Sequence, residues 1–176
     1  MSQLSLLYSQ EKSAVISRCG QYRYELRRVW DEGKALVNFI GLNPSTADDK
    51  VDDPTIRRCI AFARDWGYGG LIMTNLFSYR LTDSRKLKNV REPVGTPNWL
   101  YQKEAAYDAD IAVACWGSHP MAQEEGERLR IKLKNYSGMD LKCIKQTRPG
   151  IPWHPLYLKA ELKPIEFQGV RAENGQ

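Results

Sequence analysis

The sequence predicts a single α/β domain in which a short central parallel sheet of about four strands lies between helices as a three-layer sandwich, preceded by an N-terminal β-hairpin. Two observations predict this class. Apolar runs of strand length alternate with segments of helical spacing, the pattern of parallel strands joined by helices. The 176 residues suffice for one core but are few for two domains. We therefore assign residues 1–176 to one domain and expect flexible ends at 1–10 and 171–176.

The hairpin is the first predicted element. Residues 13–18 and 21–30 read as two extended segments on either side of a turn at Cys19-Gly20, which is typical of antiparallel strands. In the second segment, the even-numbered residues from 22 to 28 share one face and the odd-numbered residues from 23 to 27 share the other. This alternation predicts a strand with one side in solvent.

Strands and helices then alternate along the chain. Residues 36–42 form a nearly continuous apolar run closed by Asn43-Pro44, which is typical of a strand covered on both faces. Asp53 followed by Pro54 predicts an N-cap and a helix that runs to Gly67. The remaining predicted elements are a strand at 71–76, a helix opened by Thr96-Pro97, a strand at 111–116, a helix capped by Ser118 and a strand at 141–144.

The loops after these strands contain the most unusual side chains of the chain. Right-handed crossovers bring the carboxyl ends of parallel strands to one edge of the sheet, where ligands of open α/β sheets bind. Asn43 follows the first parallel strand, Asn75 ends the second, and His154 lies in a proline-rich loop after the fourth. We therefore expect these three residues to form one functional site.

Each of the three residues also has a structural interpretation. Asn43-Pro44 is a common turn, Asn75 can simply end a strand, and a lone histidine is more often structural than catalytic. In the functional interpretation, a rigid strand end holds an amide that orients a water or reads a base edge. A stiff loop likewise holds an imidazole as a hydrogen-bond donor or acid. Their shared position at the sheet edge favours the functional interpretation.

Charge gives a weak indication of the partner. The 26 Lys and Arg residues exceed the 21 Asp and Glu residues, for a net charge of +5, which suits a phosphate-rich partner such as nucleic acid or a nucleotide. We expect basic side chains to border the site on either side of the sheet edge. The candidates are Arg80, Arg85 and Lys86, after the second parallel strand, and Arg148, before the His154 loop.

Metal and cofactor sites are not favoured. The four cysteines lack the Cys-x-x-Cys spacing of a zinc or redox site, and the spacing does not support an iron–sulfur cluster. Three of them fall in segments of predicted helix or strand, where we expect small core side chains. Carboxylates at 48, 49, 52 and 53 could bind Mg²⁺, but Asp53 is needed as a helix cap and no acidic partner follows another strand. We therefore expect no metal and no organic cofactor.

The chain also lacks the features of membrane and exported proteins. No stretch approaches the roughly 20 apolar residues that span a bilayer, and the N-terminal sequence lacks the basic and apolar regions of a signal peptide. We expect a cytoplasmic protein with no membrane partner.

Motifs along nearly the whole chain resemble a bacterial family of unknown function, domain-of-unknown-function family 1643. They are YRYELRRVW, GLNPSTADD, DDPTIRRC, GYGGLIMTNLFSYR, CWG and HPLYL. A second, more distant resemblance is to the uracil-DNA glycosylase superfamily, because strand–GLNPS, strand–TNLF and a late HPL are similar in order and spacing to its three site motifs. This superfamily has a parallel four-stranded sheet between helices and cleaves the N-glycosidic bond of a flipped base.

The second resemblance implies specific roles. Asn43 would position the attacking water, Asn75 would read the base edge, and His154 would donate a hydrogen bond to the departing base as it becomes negative. The other candidate contacts with the substrate are Pro44 and Ser45 in the first loop, Phe77 as a stacking aromatic, and Leu156 or Tyr157 as a wedge in the space left by the base.

The chain departs from the superfamily pattern at two positions. Ser45 stands where Gly or an aromatic residue is usual, and no Ser follows His-Pro-Leu to bind a phosphate. The leading hypothesis is a glycosylase-like hydrolase acting on a base in DNA or a nucleotide. The alternatives are a non-catalytic nucleotide- or nucleic-acid-binding module on the same fold and, less favoured, a Mg²⁺-dependent phosphodiesterase that uses the acidic cluster.

Overall fold

The computed structural model describes residues 11–45 and 47–169. The strands are β1 (Glu11–Ile16), β2 (Arg23–Val29), β3 (Leu36–Gly41), β4 (Gly70–Asn75), β5 (Ala109–Ala114), β6 (Lys142–Cys143) and β7 (Ile165–Glu166). The α-helices are α1 (Pro54–Asp65), α2 (Asn98–Asp108) and α3 (Ala122–Ser137), and two short 3-10 helices span Ser84–Asn89 and Pro155–Tyr157. The ends expected to be flexible, 1–10 and 171–176, lie outside the described residues. Across the described ranges, no helix combines the length and apolar character needed to cross a membrane.

The seven described strands form one mixed sheet in the order β1-β2-β4-β3-β5-β6-β7. The four neighbouring strands β4, β3, β5 and β6 pair in parallel, as the alternation of strands and helices predicts. The hairpin joins β4 in antiparallel fashion through β2, and β7 pairs antiparallel with β6. The sheet is therefore larger than predicted, because the hairpin extends it and because a two-residue strand such as β7 leaves no sequence pattern.

Helices cover both faces of the sheet. On one face, Phe62 of α1 packs in the same core cluster as Val37 and Phe39 of β3. On the other face, Leu129 of α3 packs in a cluster with Ile40 of β3, while α2 contributes to a smaller cluster with β4. Neighbouring β3 residues belong to different clusters because successive strand side chains point to opposite faces.

The cysteines behave as predicted from their spacing. Cys59, Cys115 and Cys143 are buried and free, and Cys19 is exposed in the hairpin turn. The three buried thiols therefore serve as small core side chains.

The predicted start is confirmed for α1 and wrong for α3. The Asp53 carboxylate accepts a hydrogen bond from the Ile56 backbone N–H at 2.9 Å and caps α1. Ser118 does not cap α3, which begins only at Ala122. Pro120 stands where a cap at Ser118 would need a backbone N–H, and the Met121 N–H donates to His119 Nδ1 at 3.3 Å instead,.

A β-bulge in β2 changes the predicted faces of this strand. Val15 pairs with Glu25 and Ile16 pairs with Arg23, so Tyr24 is an extra residue opposite β1. A bulge of this kind re-aims the side chains that flank it. Tyr24 accordingly stacks on Tyr101 of α2, with ring centroids 5.0 Å apart, whereas Arg23 lies on the α1 side of the sheet.

The predicted solvent-facing side of β2 is also wrong. Arg23, Glu25 and Arg28 are only 2%, 7% and 0% exposed. β2 lies between β1 and β4 rather than at an edge of the sheet, and the Arg27 side chain is paired with Asp108 of α2. The charged side chains of β2 are therefore buried rather than solvated, and Glu25 and Arg28 are buried in ion pairs.

Candidate functional site

A cavity of about 520 Å³ opens at the carboxyl edge of the parallel strands, next to the start of α1. Asn43, Asn75 and His154 all line it. The structure thus brings together the end of β4 and the loops that follow β3 and β6, as the crossover rule predicts. Their chemical roles depend on which of their polar atoms are free to meet a ligand.

The Asn43 amide joins the loops that follow β3 and β4. Its Nδ2 donates to the Pro44 carbonyl oxygen at 3.0 Å and to the Leu81 carbonyl oxygen at 2.8 Å. These two bonds fix which end of the amide is nitrogen. No donor from the described residues reaches Oδ1, so the oxygen is the group with which Asn43 can accept a hydrogen bond from a ligand or water.

Asn75 presents a buried donor. The residue is 2% exposed, and its Nδ2 has no hydrogen-bond partner among residues 11–45 and 47–169. Its Oδ1 lies 2.8 Å from the position of a β-carbon on Gly41, so Gly41 is the residue that leaves room for this side chain. An unpaired buried N–H group is costly and uncommon, and a ligand acceptor in the cavity would satisfy it.

Helix α2 holds the end of β4 in place. Gln102 Nε2 donates to the Asn75 carbonyl oxygen at 2.8 Å, and Asn98 Nδ2 donates to the same oxygen at 3.0 Å. Asn98 Nδ2 also reaches the Leu76 carbonyl oxygen at 3.0 Å. These contacts keep the backbone at Asn75 rigid.

His154 presents a second donor. It caps the short 3-10 helix that follows it, and its Nδ1 accepts a hydrogen bond from the Leu156 N–H at 3.4 Å. In the neutral ring the proton is therefore assigned to Nε2. Burial lowers the pKa of His154 below its ordinary value of 6.5, although Asp53 acts in the opposite direction. The ring is therefore neutral at pH 7 and can donate from Nε2.

The loop that carries His154 is held by its own hydrogen bonds. Gln146 and Pro152 form an antiparallel bridge, and the Trp153 N–H donates to the Lys145 carbonyl oxygen at 2.8 Å. The stiffness that the prolines predict for this loop is therefore reinforced by hairpin-like backbone hydrogen bonds within it.

Arg23 is a cavity residue that sequence reasoning missed. It lines the cavity, and its Nη1 donates to the Ala47 carbonyl oxygen at 2.7 Å. Its Nε is buried without a partner among the described residues. Burial lowers the pKa of Arg23 to about 10, so the guanidinium remains charged at neutral pH. The sequence contains no signal for this position, because the bulge at Tyr24 reverses the predicted face.

Trp116 is a second cavity residue that was missed. A β-carbon on Gly126 of α3 would lie 2.6 Å from the Trp116 ring, so the glycine lets the helix approach the indole closely. A glycine in the middle of a predicted helix is a signal of such a close approach and could have indicated this contact.

Among the other predicted substrate contacts, Ser45 and Tyr157 line the cavity. Phe77 does not: it is 3% exposed in the core cluster with α3, because it follows β4 on the opposite face from Asn75. Pro44 is buried, and its carbonyl oxygen bonds within the loops. Leu156 is 42% exposed and lies outside the lining.

The predicted basic border is only partly assembled. Arg80 lines a groove that shares Ser45 with the cavity, and its Nε is buried without a partner in the described part of the chain. Arg85 is paired with Asp83 at 2.8 Å. Lys86 and Arg148 are exposed and line neither the cavity nor this groove.

The acidic cluster serves local structure. Asp48 Oδ1 accepts hydrogen bonds from the backbone N–H groups of residues 50 and 51, both at 2.9 Å. Asp52 pairs with Arg28 at 2.7 Å, and Asp53 caps α1. The described residues contain no group of three or more His, Cys, Asp or Glu side chains that could hold a metal ion.

Comparison with known proteins gives a single assignment. No curated protein and no solved structure matches the chain significantly. The model of one family, described as "Protein of unknown function (DUF1643)", matches residues 23–156. The matched range begins at Arg23 and contains Asn43, Asn75 and His154, and it ends one residue before Tyr157. The chain therefore belongs to the DUF1643 family.

Proposed function

We propose that the protein is a glycosylase-like hydrolase that cleaves the N-glycosidic bond of a base in a nucleotide or in DNA. One observation carries the proposal: one cavity is lined by an Asn75 amide donor and an Asn43 amide oxygen that have no partner among the described residues, and by His154, whose lowered pKa favours the neutral imidazole. Two donors and one acceptor suit a base carbonyl edge and an attacking water. The four parallel strands between helices also fit the uracil-DNA glycosylase superfamily that the motifs resemble.

In the proposed reaction, Asn75 Nδ2 donates to a carbonyl oxygen of the base and orients it. As the C1′–N bond breaks, its electron pair moves onto the base, and the His154 Nε2–H stabilises the resulting negative charge. Asn43 Oδ1 holds the water that adds to C1′, and the proton lost by this water ends on the departing base. An amide oxygen is a weak base, so the water attacks after most of the bond has broken.

The test is a base-release assay. Uracil and modified pyrimidines are offered as 2′-deoxynucleotides, in single-stranded DNA and in duplexes, and free base is separated by chromatography. We expect Asn43→Ala and His154→Ala each to reduce release by about 10²- to 10³-fold. Asn135→Ala, on the exposed surface of α3, is the matched control and should leave the rate unchanged. No release of any base from the whole panel would contradict the proposal.

The same unpartnered donors also suit the alternative, a module that binds nucleotides or nucleic acid without cleaving them. Binding that weakens steeply with salt and is unaffected by Asn43→Ala would favour this alternative. The phosphodiesterase hypothesis receives no support, because Asp48, Asp52 and Asp53 are engaged in structural contacts.

A further inference from the structure

We infer that Arg23 forms a phosphate subsite inside the cavity, so that the ligand is a base carrying a sugar phosphate. That the ligand contains a base rests on the proposed function, whereas the phosphate is inferred from Arg23 itself. The phosphate is either the monoester of a free nucleotide or a diester of a nucleic-acid strand, since both present the same oxygens to a guanidinium.

The first argument is the contrast among the arginines of β2. Arg27 pairs with Glu25 at 2.6 Å and with Asp108 at 2.5 Å. Arg28 pairs with Asp52 at 2.7 Å. Arg23 has no ion pair in the described part of the chain, although it is as deeply buried as Arg28, at 2% and 0% exposure respectively. A buried cation without a counter-ion is unfavourable, so an anion in the cavity would stabilise it.

The nearby carboxylates do not fill this role. Asp53 and Asp48 lie close enough to favour the charged form of Arg23. However, Asp53 accepts the Ile56 N–H, and Asp48 accepts the N–H groups of residues 50 and 51. Neither carboxylate lies within 4.0 Å of the Arg23 guanidinium, since the described residues include no such ion pair. The Arg23 Nε therefore keeps an unused donor.

The surroundings of Arg23 favour an anion with several oxygens. Thr55 and Ile56 in the first turn of α1 line the same cavity, together with the capping carboxylate of Asp53, which offsets part of the positive charge at the helix N-terminus,. The Ser45 and Ser84 side chains add hydroxyls to the lining. A guanidinium presents parallel donors that match phosphate geometry.

The size of the cavity agrees with a base plus a sugar phosphate. Its volume of about 520 Å³ falls within the roughly 300–1,000 Å³ of small-molecule sites. Arg80, in the groove that shares Ser45 with the cavity, has a second buried Nε that finds no partner within residues 11–45 and 47–169. Positive charge therefore continues from the cavity toward the groove, where the rest of a strand would lie.

Calorimetry measures the affinity of the protein for three kinds of ligand. The first is a set of matched pairs, each a 2′-deoxynucleoside and its 5′-monophosphate. The second is deoxyribose 5-phosphate, and the third is a short single strand of DNA without a terminal phosphate. We expect the wild-type protein to bind the monophosphate, or the strand, at least about tenfold more tightly than the nucleoside. Arg23→Gln should remove this preference. Arg27→Gln, on the opposite face of the same strand, should retain it. Preference for the monophosphate or for the strand identifies the source of the phosphate.

The outcomes separate this inference from the proposed function. Equal affinity of the wild-type protein for the nucleoside and both phosphorylated ligands would overturn the phosphate subsite, even if Arg23→Gln fails to fold. If a nucleoside still bound and Asn75→Ala abolished its binding, base recognition would survive this result. Binding of deoxyribose 5-phosphate that depends on Arg23, without any contribution from a base, would support the subsite and contradict the proposed function.

Discussion

Arg28 and Arg23, toward opposite ends of β2, are equally buried but differ in how their donors are used. Arg28 donates to the Asp52 carboxylate from Nε at 2.8 Å and to the carbonyl oxygens of Ser13, Arg27 and Asp48. Arg23 donates to the Ala47 carbonyl oxygen and leaves Nε without a partner among the described residues. The Arg28 side chain therefore stabilises its end of β2, whereas the Arg23 side chain leaves a donor that a ligand can use.

The largest expected loss of stability comes from substituting Arg28. Arg28→Met removes one partner of a buried ion pair and should lower the free energy of unfolding by about 3–5 kcal/mol. Arg23→Met removes a charge that has no ion-pair partner in the described ranges, so the loss of stability should be smaller by at least roughly 2 kcal/mol. Chemical denaturation of both variants tests this, and equal losses would show that the two arginines are both structural.

The next effect concerns the space that Asn75 occupies in the cavity wall. In Gly41→Ala the new methyl group meets Asn75 Oδ1, so we expect a loss of about 1–3 kcal/mol in stability together with weaker nucleoside binding. In a protein that already carries Asn75→Ala, Gly41→Ala should reduce stability less, because the Asn75 Oδ1 atom that the methyl group meets is no longer present. A double-mutant cycle measures this coupling, and additive losses would contradict the contact.

A third prediction concerns the protonation of His154. Because burial lowers its pKa below 6.5, the unfolded chain takes up this proton first as the pH falls. Protonation of His154 therefore lowers the free energy of unfolding as the pH falls from 6.5 toward the pKa of His154 in the folded protein. Well above pH 6.5 this residue has little effect on stability. An NMR titration should place the His154 midpoint below 6.5, with His119→Gln simplifying the spectrum. A midpoint above 6.5 would overturn the prediction.

The smallest expected effect compares Arg80, which has no ion pair in the described part of the chain, with Arg85, which is paired with Asp83. Arg80→Gln should weaken binding of a short single strand roughly two- to fivefold at low salt, whereas Arg85→Gln should leave it unchanged because Asp83 already neutralises Arg85. Calorimetry at two salt concentrations tests this. Equal effects of the two substitutions would show that pairing does not decide which rim arginine meets the ligand.

The central fold and the location of the three candidate side chains could be predicted from sequence because both depend on local signals. The apolar run that ends at Asn43 and the capping pair Asp53-Pro54 identify an element and its boundary directly. The handedness of crossovers then brings Asn43, Asn75 and His154 to one edge without any knowledge of their contacts.

The errors arose where a non-local contact decides the outcome. The bulge at Tyr24 depends on pairing with β1 and on the ring of Tyr101. Phe77 follows Asn75 by two residues but belongs to the opposite face, because the chain has left the strand by then. The error at Ser118 is local instead, because Pro120 lacks one N–H that a cap could bind and the Met121 N–H donates to His119,.

The sequence by itself determined the order of strands and helices, the parallel core of the sheet and the edge at which polar loops gather, because periodicity, capping and chirality act over short stretches of chain. Only the tertiary structure decided that Arg23 faces the cavity without a counter-ion and that Asn75 Nδ2 has no partner within the described residues. Whether a polar atom is satisfied depends on neighbours from distant parts of the chain, and these are set only when the sheet and its helices pack together.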